Sequence, residues 1–468
     1  MNRKVGGTAL RRSWLLMVVL AGGAGLSACN DDNDDTPVGY ATLDGKAPLI
    51  IGHRGLPGLY PEETEIAYTK AAEAGADSLE EDLHLSKDCV LVARHNPWLS
   101  DNTNIAQVAA SNETVAARRR TVPGRLVDVG YDAATYGGPS QYLSDLTDPE
   151  DPQSVLKSLI VDGEDHTGDW SITDFTVAEL HDWKINGTTY DDRGERPTVD
   201  NGKYPILTFQ QIIDIARDQS TKQKRTITVY PEAKNPVWNN AQALANGCGD
   251  GESAHPFEDA IFKIIVDNGM NRYDAPIIVQ SFDPASLKYL RSLGLKTRLV
   301  QLIDGNTVDY KTGDLGYATN DEYTFVDGRP YSWTLAGDHR YFDVMLTPEG
   351  LAEIKTYADG IGPWKPQVVA WKISPFPATN ADGSPFTGTL ADVNVVEPKP
   401  LIADAHAAGL FVHSYTFRDE TRYLPGVYGG DPQAEFLQFF KAGIDGVFTD
   451  FATTGVAARE AYVQELRD

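Results

Sequence analysis

In the run Leu49-Ile50-Ile51-Gly52-His53-Arg54-Gly55, a histidine and an arginine follow directly after a short apolar strand. Similar apolar runs recur along the chain and alternate with stretches of helical periodicity, which is the pattern of βα units around a parallel sheet. The eight predicted strands are Leu49–Gly52, Ser78–Leu83, Thr226–Pro231, Pro276–Ser281, Thr297–Leu302, Val368–Ile373, Leu410–Ser414 and Gly446–Thr449. Eight such units predict an α/β fold, a (β/α)8 TIM barrel.

Helical periodicity fills the segments between these strands. It predicts helices at Glu63–Ala74, Phe209–Arg217, Pro284–Leu293 and Ala434–Ala442, and a further strand at Val90–Ala93 predicts a hairpin beside the barrel. Two stretches, at about 102–170 and 305–340, are rich in loop residues and have little periodicity, so they are predicted as large loop insertions. Loops that follow barrel strands build the active-site face, so these insertions either shape the substrate pocket or decorate its rim.

The first 28 residues have the basic-then-apolar pattern of a secretory signal, with an apolar run from Trp14 to Leu20. They lead into Leu26-Ser27-Ala28-Cys29, which resembles the bacterial lipobox and implies lipid on Cys29. Residues 29–46 are polar and predict a disordered tether, and residues 47–468 are predicted to form the barrel domain. We therefore expect an exported, membrane-anchored lipoprotein in the periplasm or at the cell surface. An ordinary signal peptide with a chance cysteine is the alternative.

The chain has 3 cysteines. If Cys29 carries lipid, Cys89 and Cys248 remain. Two cysteines do not define a disulfide framework, and we do not predict that this pair is bonded.

The net charge of the chain limits the classes of molecule that it can bind. There are 67 acidic residues against 41 basic ones, a formal net charge of -26. A field of that sign repels nucleic acid, so no nucleic-acid partner is expected. An enzyme acting on an anionic substrate would need a bound cation or local basic side chains, although solubility alone also explains the charge.

Residue types suited to metal binding lie on the predicted strands. Glu80 and Asp82 are two residues apart and therefore share one face of a strand, where two carboxylates repel unless a cation lies between them. Glu232 and Lys234 repeat this spacing at the end of another strand. Oxygen ligands favour calcium or magnesium over zinc. These residues predict a site for a divalent ion and a phosphate group, with Lys234 contacting the phosphate as a point charge.

Each of these residues also has a structural explanation. A single histidine such as His53 is more often a packed or surface residue, and Glu80 with Asp82 could be a solvated strand face. Glu232 and Lys234 could form an ion pair. Their shared position at strand ends of one predicted barrel favours a catalytic site instead.

Short blocks along the chain form an ordered series from Ile51 to near Phe451. They are His53-Arg54-Gly55, Pro61-Glu62-Glu63-Thr64, Gly75–Leu83, Val92-Ala93-Arg94-His95, Tyr230-Pro231-Glu232-Ala233-Lys234, Val279–Asp283, Leu299–Ile303, Tyr357–Pro363, His413–Arg418 and Gly443–Phe451. This series resembles the glycerophosphodiester phosphodiesterase family, and its second main block resembles the periplasmic branch. Glu63, Cys89 and Asn96 depart from the family pattern, and none of these departures removes a candidate catalytic group.

The resemblance implies hydrolysis of a small glycerophosphodiester to sn-glycerol 3-phosphate and an alcohol. It implies a divalent ion, calcium in the periplasmic branch, with magnesium left open. The implied roles are metal ligation by Glu80, Asp82 and Glu232, substrate contact by Arg54, Lys234 and Glu62, and acid–base catalysis by His53 and His95. Which histidine is the acid, which alcohol leaves and the oligomeric state stay open.

Other functions also stay open. One is a phosphodiesterase acting on lysophospholipid or phosphoinositol-type head groups, and another is a surface-tethered binding lipoprotein. A sugar hydrolase is a third, because paired carboxylates serve glycosidases, although the histidines and Lys234 fit phosphate better. Phe282, Trp371 and Tyr415 lie near predicted strand ends and either line an alcohol pocket or pack in the core or rim.

Overall fold

The computed structural model describes residues 39–120, 160–161, 164–166, 168–190, 193–317 and 328–468. The predicted signal peptide, Cys29 and most of the predicted tether lie outside these residues, as do parts of both predicted insertions. Within the described ranges, no helix is long and apolar enough to cross a membrane.

Eight parallel strands close into a barrel. The described strands are β1 (Leu49–Gly52), β2 (Ser78–Leu85), β3 (Leu91–Ala93), β4 (Ile160–Val161), β5 (Glu164–Asp165), β6 (Thr228–Ala233), β7 (Ile278–Ser281), β8 (Arg298–Ile303), β9 (Thr307–Asp309), β10 (Asp314–Gly316), β11 (Gly360–Pro363), β12 (Val369–Lys372), β13 (Val395–Pro398), β14 (Phe411–Phe417) and β15 (Gly446–Thr449). The barrel order is β1-β15-β14-β11-β8-β7-β6-β2, and β2 pairs with β1 to close the ring. The predicted (β/α)8 barrel is confirmed.

Helices surround the barrel. They are α1 (Glu65–Glu73), α2 (Ile105–Ala109), α3 (Glu113–Ala116), α4 (Val177–Asp182), α5 (Phe209–Gln223), α6 (Pro236–Ala245), α7 (Pro256–Asp267), α8 (Pro284–Ser292), α9 (Tyr331–Leu335), α10 (Pro348–Lys355), α11 (Lys365–Val368), α12 (Leu401–Ala407), α13 (Pro432–Lys441) and α14 (Ala452–Arg467). The starts of α1 and α5 are fixed by Thr64 and Thr208, whose side chains accept backbone N–H bonds of the first turn. All four predicted helices are present.

The alternation of side chains along the strands produces two apolar layers. One face packs against the helices, with Leu79, Val229 and Leu299 in the main core. The other face fills the barrel interior with a separate cluster, Ile51, Tyr230, Ile278, Val300, Leu302 and Phe448. Positions further along the interior face therefore sit on a closed apolar floor at the carboxyl ends of the strands.

One predicted barrel strand is wrong. The segment Val368–Ile373 was expected in the barrel, but β11 takes that place and β12 pairs with β13 in an antiparallel hairpin outside it. The sequence of β11 is Gly-Ile-Gly-Pro, which has little of the β-branched and aromatic content typical of strands. Its glycines are needed because a side chain at Gly360 would overlap the Phe411 ring.

The structure pairs Cys89 with Cys248, a bond that the sequence did not predict. Their sulfurs form a disulfide, with the two Cα atoms 5.6 Å apart. Cys89 lies in the turn between β2 and β3, and Cys248 lies just after α6, which follows the neighbouring strand β6. The barrel brings the two loops together over a sequence separation of 159 residues, which a count of cysteines does not reveal.

The first predicted insertion extends further along the chain than expected. The segment between β3 and α5 carries α2, α3 and α4 and forms its own apolar cluster, so the elaboration continues past residue 170.

The described end of the predicted tether packs on the barrel, where the Tyr40 ring lies 6.2 Å from that of Tyr462 and Leu43 N donates to Asp445 at 2.6 Å.

Candidate active site

The candidate residues meet at the carboxyl end of the barrel. His53 and Arg54 follow β1, Glu80 and Asp82 lie on β2, and His95 comes two residues after β3. Glu232 lies on β6, and Lys234 follows it. The cavity at this end, of about 740 Å³, is lined by His53, Arg54, Glu80, His95, Glu232 and Lys234.

Glu80, Asp82 and Glu232 form a compact acidic cluster. One oxygen from each lies within 4.8 Å of the other two, and the three residues are 1%, 1% and 6% exposed. Parallel pairing of β2 with β6 sets Asp82 directly beside Glu232. Burial, with the charge of Asp82 next, raises the pKa of Glu80 well above its usual value. Three buried hard oxygen donors without enough neighbouring cations fit a divalent ion, as the sequence predicted.

Arg54 and Lys234 supply the positive charge around the cluster. Arg54 Nε lies 2.9 Å from Asp82 Oδ2, and the Arg54 backbone N donates to Glu80 Oε2 at 2.7 Å. Lys234 Nζ lies 3.4 Å from Glu232 Oε1. Burial opposes the charge of Lys234, but Glu232 and Asp82 outweigh it and raise the pKa of Lys234. Both side chains are therefore charged and held at the mouth of the acidic cluster.

Glu62 lies behind Arg54. Its side chain is 3% exposed, accepts from Arg54 Nη1 at 3.3 Å and also accepts from Asn102 Nδ2. The next residue, Glu63, has φ +60° and accepts the backbone N–H of Asp82 at 3.0 Å. The Glu62–Glu63 turn therefore holds Arg54 and β2 in place from outside the cavity.

His53 and His95 both face the cavity, where His53 is buried and His95 is half-buried. Burial, followed by the charge of Arg54, lowers the pKa of each histidine, and that of His95 falls well below its usual value. Both imidazoles are therefore neutral near pH 7, and each can accept a proton.

Sequence reasoning missed the partner of His53. Asp450, directly after β15, lies 2.6 Å from His53 Nδ1 and also accepts from Arg196 and Arg418. Burial opposes the charge of Asp450, but Arg418 and His53 outweigh it and hold the pKa of Asp450 well below its usual value. The signal was present, because Asp450 follows a predicted strand directly, like the residues that were singled out.

Gln280 is a second missed residue. It lies on β7 beside Glu232, its amide donates to Glu80 Oε1 at 3.2 Å, and it lines the cavity. It fixes one oxygen of Glu80 and leaves the other to Arg54 N. An interior-facing amide on the strand next to β6 was recognisable from the same alternation that singled out Glu80.

An aromatic wall extends the cavity away from the acidic cluster. Phe282, Trp371 and Tyr415, whose role was open, all line it. The Phe282 and Tyr415 rings meet edge to face at 5.9 Å, and Trp364 and Trp371 do so at 6.1 Å. Trp371 reaches the cavity from the β12–β13 hairpin rather than from a barrel strand.

The sequence of this chain is similar to those of known phosphodiesterases. Residues 53–454 match the model of the glycerophosphoryl diester phosphodiesterase family. The Arabidopsis thaliana glycerophosphodiester phosphodiesterase GDPD6 is 30% identical over 87% of this chain and 85% of its own length. A Haemophilus influenzae glycerophosphodiester phosphodiesterase is 24% identical over 87% of this chain and 88% of its own. A putative glycerophosphoryl diester phosphodiesterase structure from Silicibacter pomeroyi has a TM-score of 0.48 at 15% identity, covering 90% of this chain and 98% of its own. The chain belongs to the glycerophosphoryl diester phosphodiesterase family and is an enzyme of that class.

Proposed function

We propose that the protein hydrolyses glycerophosphodiesters to sn-glycerol 3-phosphate and an alcohol in a reaction that needs a divalent ion, calcium by preference. The observation that carries the proposal is that three ligand oxygens lie within 4.8 Å of one another beside a cavity lined by His53, His95, Arg54 and Lys234. Glu80, Asp82 and Glu232 would hold the ion. When bound, such an ion withdraws charge from a phosphoryl oxygen.

The side chains of the protein divide the remaining work. Arg54 and Lys234 hold the other phosphoryl oxygens and stabilise the charge that builds on them. One of His53 and His95 takes a proton from the glycerol hydroxyl or from water. The other, after taking a proton from solvent, protonates the leaving alkoxide. The buried apolar floor beneath the site keeps these charges in a low dielectric, where their interactions are stronger than in water.

The test is release of sn-glycerol 3-phosphate from glycerophosphocholine by protein lacking residues 1–29. Assays with calcium, magnesium and a chelator separate the ions, and we expect activity with calcium and none with chelator. His53→Ala and His95→Ala should each reduce turnover by about 10²–10⁴-fold. His339→Ala, at an exposed histidine outside the cavity, is the control. Activity in the His53→Ala, His95→Ala double variant would refute the acid–base assignment.

A lysophospholipid-type substrate is the second candidate. The cavity has a volume of about 740 Å³ and an aromatic wall, so it has more room than a small alcohol fills. Measuring kcat/KM on water-soluble and on micellar substrates separates the two candidates. A higher kcat/KM on the micellar substrate would favour the lipid-like compound, and the reverse would retain glycerophosphocholine-type substrates.

We also propose that the protein is an exported lipoprotein of the periplasmic branch, anchored in a membrane through Cys29. The Cys89–Cys248 disulfide supports export, because structural disulfides persist in oxidising compartments. Its formation leaves Cys29 as the remaining cysteine of the three in the sequence. Mass spectrometry of the N-terminal peptide should find lipid on Cys29, and Cys29→Ala should move the protein to the soluble fraction. Membrane retention of the Cys29→Ala protein would refute the anchor.

A further inference from the structure

The network behind His53 reaches into the insertion between β3 and α5. Asp450 Oδ1 lies 2.6 Å from His53 Nδ1, and its other oxygen, Oδ2, lies 2.6 Å from Arg196 Nη2 and 2.8 Å from Arg418 Nε. Arg196 belongs to that insertion, whereas Arg418 follows β14. The side chain of Asp450 is 2% exposed and that of Arg196 is 8% exposed. These contacts therefore lie in a low dielectric, where charge-assisted hydrogen bonds are strong.

Arg196 is itself held from a second side. Its Nε lies 2.7 Å from Glu420 Oε1, so the guanidinium bridges Glu420 and Asp450. Its ring neighbour is Phe451, whose centroid lies 5.9 Å from the guanidinium carbon. A planar guanidinium with two carboxylate partners in fixed directions has little freedom to move, and it transmits that rigidity to Asp450.

The consequence for His53 concerns its tautomer. A carboxylate is an acceptor only, so the Nδ1 atom facing Asp450 carries the proton. Nε2 on the opposite side of the ring then bears the lone pair, and His53 lines the cavity. The two guanidiniums offset the charge of Asp450, so the carboxylate orients the ring without holding it as an imidazolium.

We propose that Asp450 is a positioning residue that fixes His53 as the general base, and that Arg196 of the insertion, with Arg418, fixes Asp450. In this arrangement His53 Nε2 accepts the proton of the attacking hydroxyl, and His95, after taking a proton from water, protonates the leaving alkoxide. The insertion is then part of the catalytic machinery and not decoration of the rim. The inference rests on the function proposed above.

The pH dependence of turnover has a defined sign for each variant. The charged and titratable groups around His53 are Arg54, Asp82, His95, Arg418 and Asp450, with Arg196 and Glu420 behind Asp450. A base must be neutral, so the acidic limb of kcat follows the pKa of His53. Asp450→Asn removes a negative charge and should move that limb down by about 1 unit, whereas Arg196→Ala removes a positive charge and should move it up by about 0.5 units.

The rates should change as well. Asp450→Asn should lower kcat by about 10³–10⁴-fold, as expected when an imidazole loses the carboxylate that fixes its tautomer. Arg196→Ala should lower kcat by about tenfold with KM within about twofold, since binding groups are untouched. Arg196→Lys should recover part of the loss, because an ammonium restores the charge but not both contacts. Lys203→Ala, which removes an exposed ion pair with Asp200 in the same insertion, is the control and should match the unaltered enzyme.

A direct readout of the tautomer does not depend on turnover. Full-length protein labelled with ¹⁵N at histidine is examined by NMR at neutral pH, and the His53 signals are assigned by their loss in His53→Gln. The unaltered protein should show His53 protonated at Nδ1, and Asp450→Asn should show a mixture or the other tautomer. Protonation at Nε2 in the unaltered protein would overturn the proposal.

Failure of this inference differs from failure of the proposed function. Normal turnover by His53→Ala would refute the catalytic role that the proposed function gives to His53. If His53→Ala is inactive but Asp450→Asn and Arg196→Ala keep the unaltered kcat and acidic limb, only the positioning role is overturned. If the acidic limb of kcat moves down in Asp450→Asn and up in Arg196→Ala, the positioning role is supported. A general loss of folding would not move the acidic limbs of the two variants in opposite directions.

Discussion

Binding of the divalent ion should release protons in the neutral pH range. Burial raises the pKa of Glu232 to about 8, with Lys234 opposing the rise and Asp82 adding to it. Burial also raises the pKa of Glu80 well above its usual value. A metal binds the ionised carboxylate, so below about pH 8 it must displace the proton that Glu232 holds.

The magnitude follows from the size of the shift. At about pH 6, two units below the pKa, about 1% of Glu232 is ionised, which weakens calcium binding by about 100-fold or about 2.7 kcal/mol. The affinity therefore rises about tenfold per pH unit from about 6 to 8 and then levels off. A proton on Glu80 can only steepen this rise.

The assay is calorimetric titration of calcium at about pH 6, 7 and 8, each in two buffers of different ionisation enthalpy, which counts the protons released. Glu232→Gln should bind calcium more weakly and release one proton fewer. Glu258→Gln is the control, because Glu258 is a buried carboxyl outside the cavity whose pKa burial raises to about 7. An affinity that changes by less than about threefold over this range would refute the reasoning.

Three further predictions test the fold and the site. Reducing the Cys89–Cys248 bond should lower the free energy of unfolding by about 2–4 kcal/mol in urea titrations, and an unchanged midpoint would contradict it. Lys365→Met should cost about 3–5 kcal/mol because it leaves Glu435, 2.8 Å away and buried, without its cation. The double variant Lys365→Met, Glu435→Leu should regain most of that loss, and failure to do so would show that packing matters more than charge. Binding of sn-glycerol 3-phosphate, measured by calorimetry, should weaken by at least about tenfold when a chelator removes the ion, and equal affinity with chelator would argue against a shared site.

The barrel and the centre of the site could be predicted because both depend on local pattern. Strand candidates such as Ser78–Leu83 carry enough apolar residues to be recognised one at a time, and the parallel barrel then fixes which ends meet. Two-residue spacing puts Glu80 and Asp82 on one face whatever surrounds them. Since β6 pairs beside β2, Glu232 joins them without further information.

The rest depends on contacts between distant parts of the chain. His53 and Asp450 are 397 residues apart, and Arg196 and Asp450 are 254 apart. No local pattern links an arginine in an irregular insertion to a carboxylate at the last strand. The β11 error has a different cause, because close packing against Phe411 required glycine where strand propensity favours larger residues.

The charge of the site explains how an acidic chain can bind an anionic substrate. The whole protein has a formal charge of -26, so its long-range field repels a phosphodiester. At the acidic cluster, Glu80, Asp82 and Glu232 outnumber the neighbouring Arg54 and Lys234 by one charge when all are ionised. A divalent ion reverses that local sign. Its interaction with the substrate acts over a few ångströms in a buried cavity, where salt screens little, so it exceeds the distant field, which salt weakens beyond about 8–10 Å. The acidic cluster thus makes substrate binding conditional on the ion, and the two cations alone leave the site unsuited to phosphate.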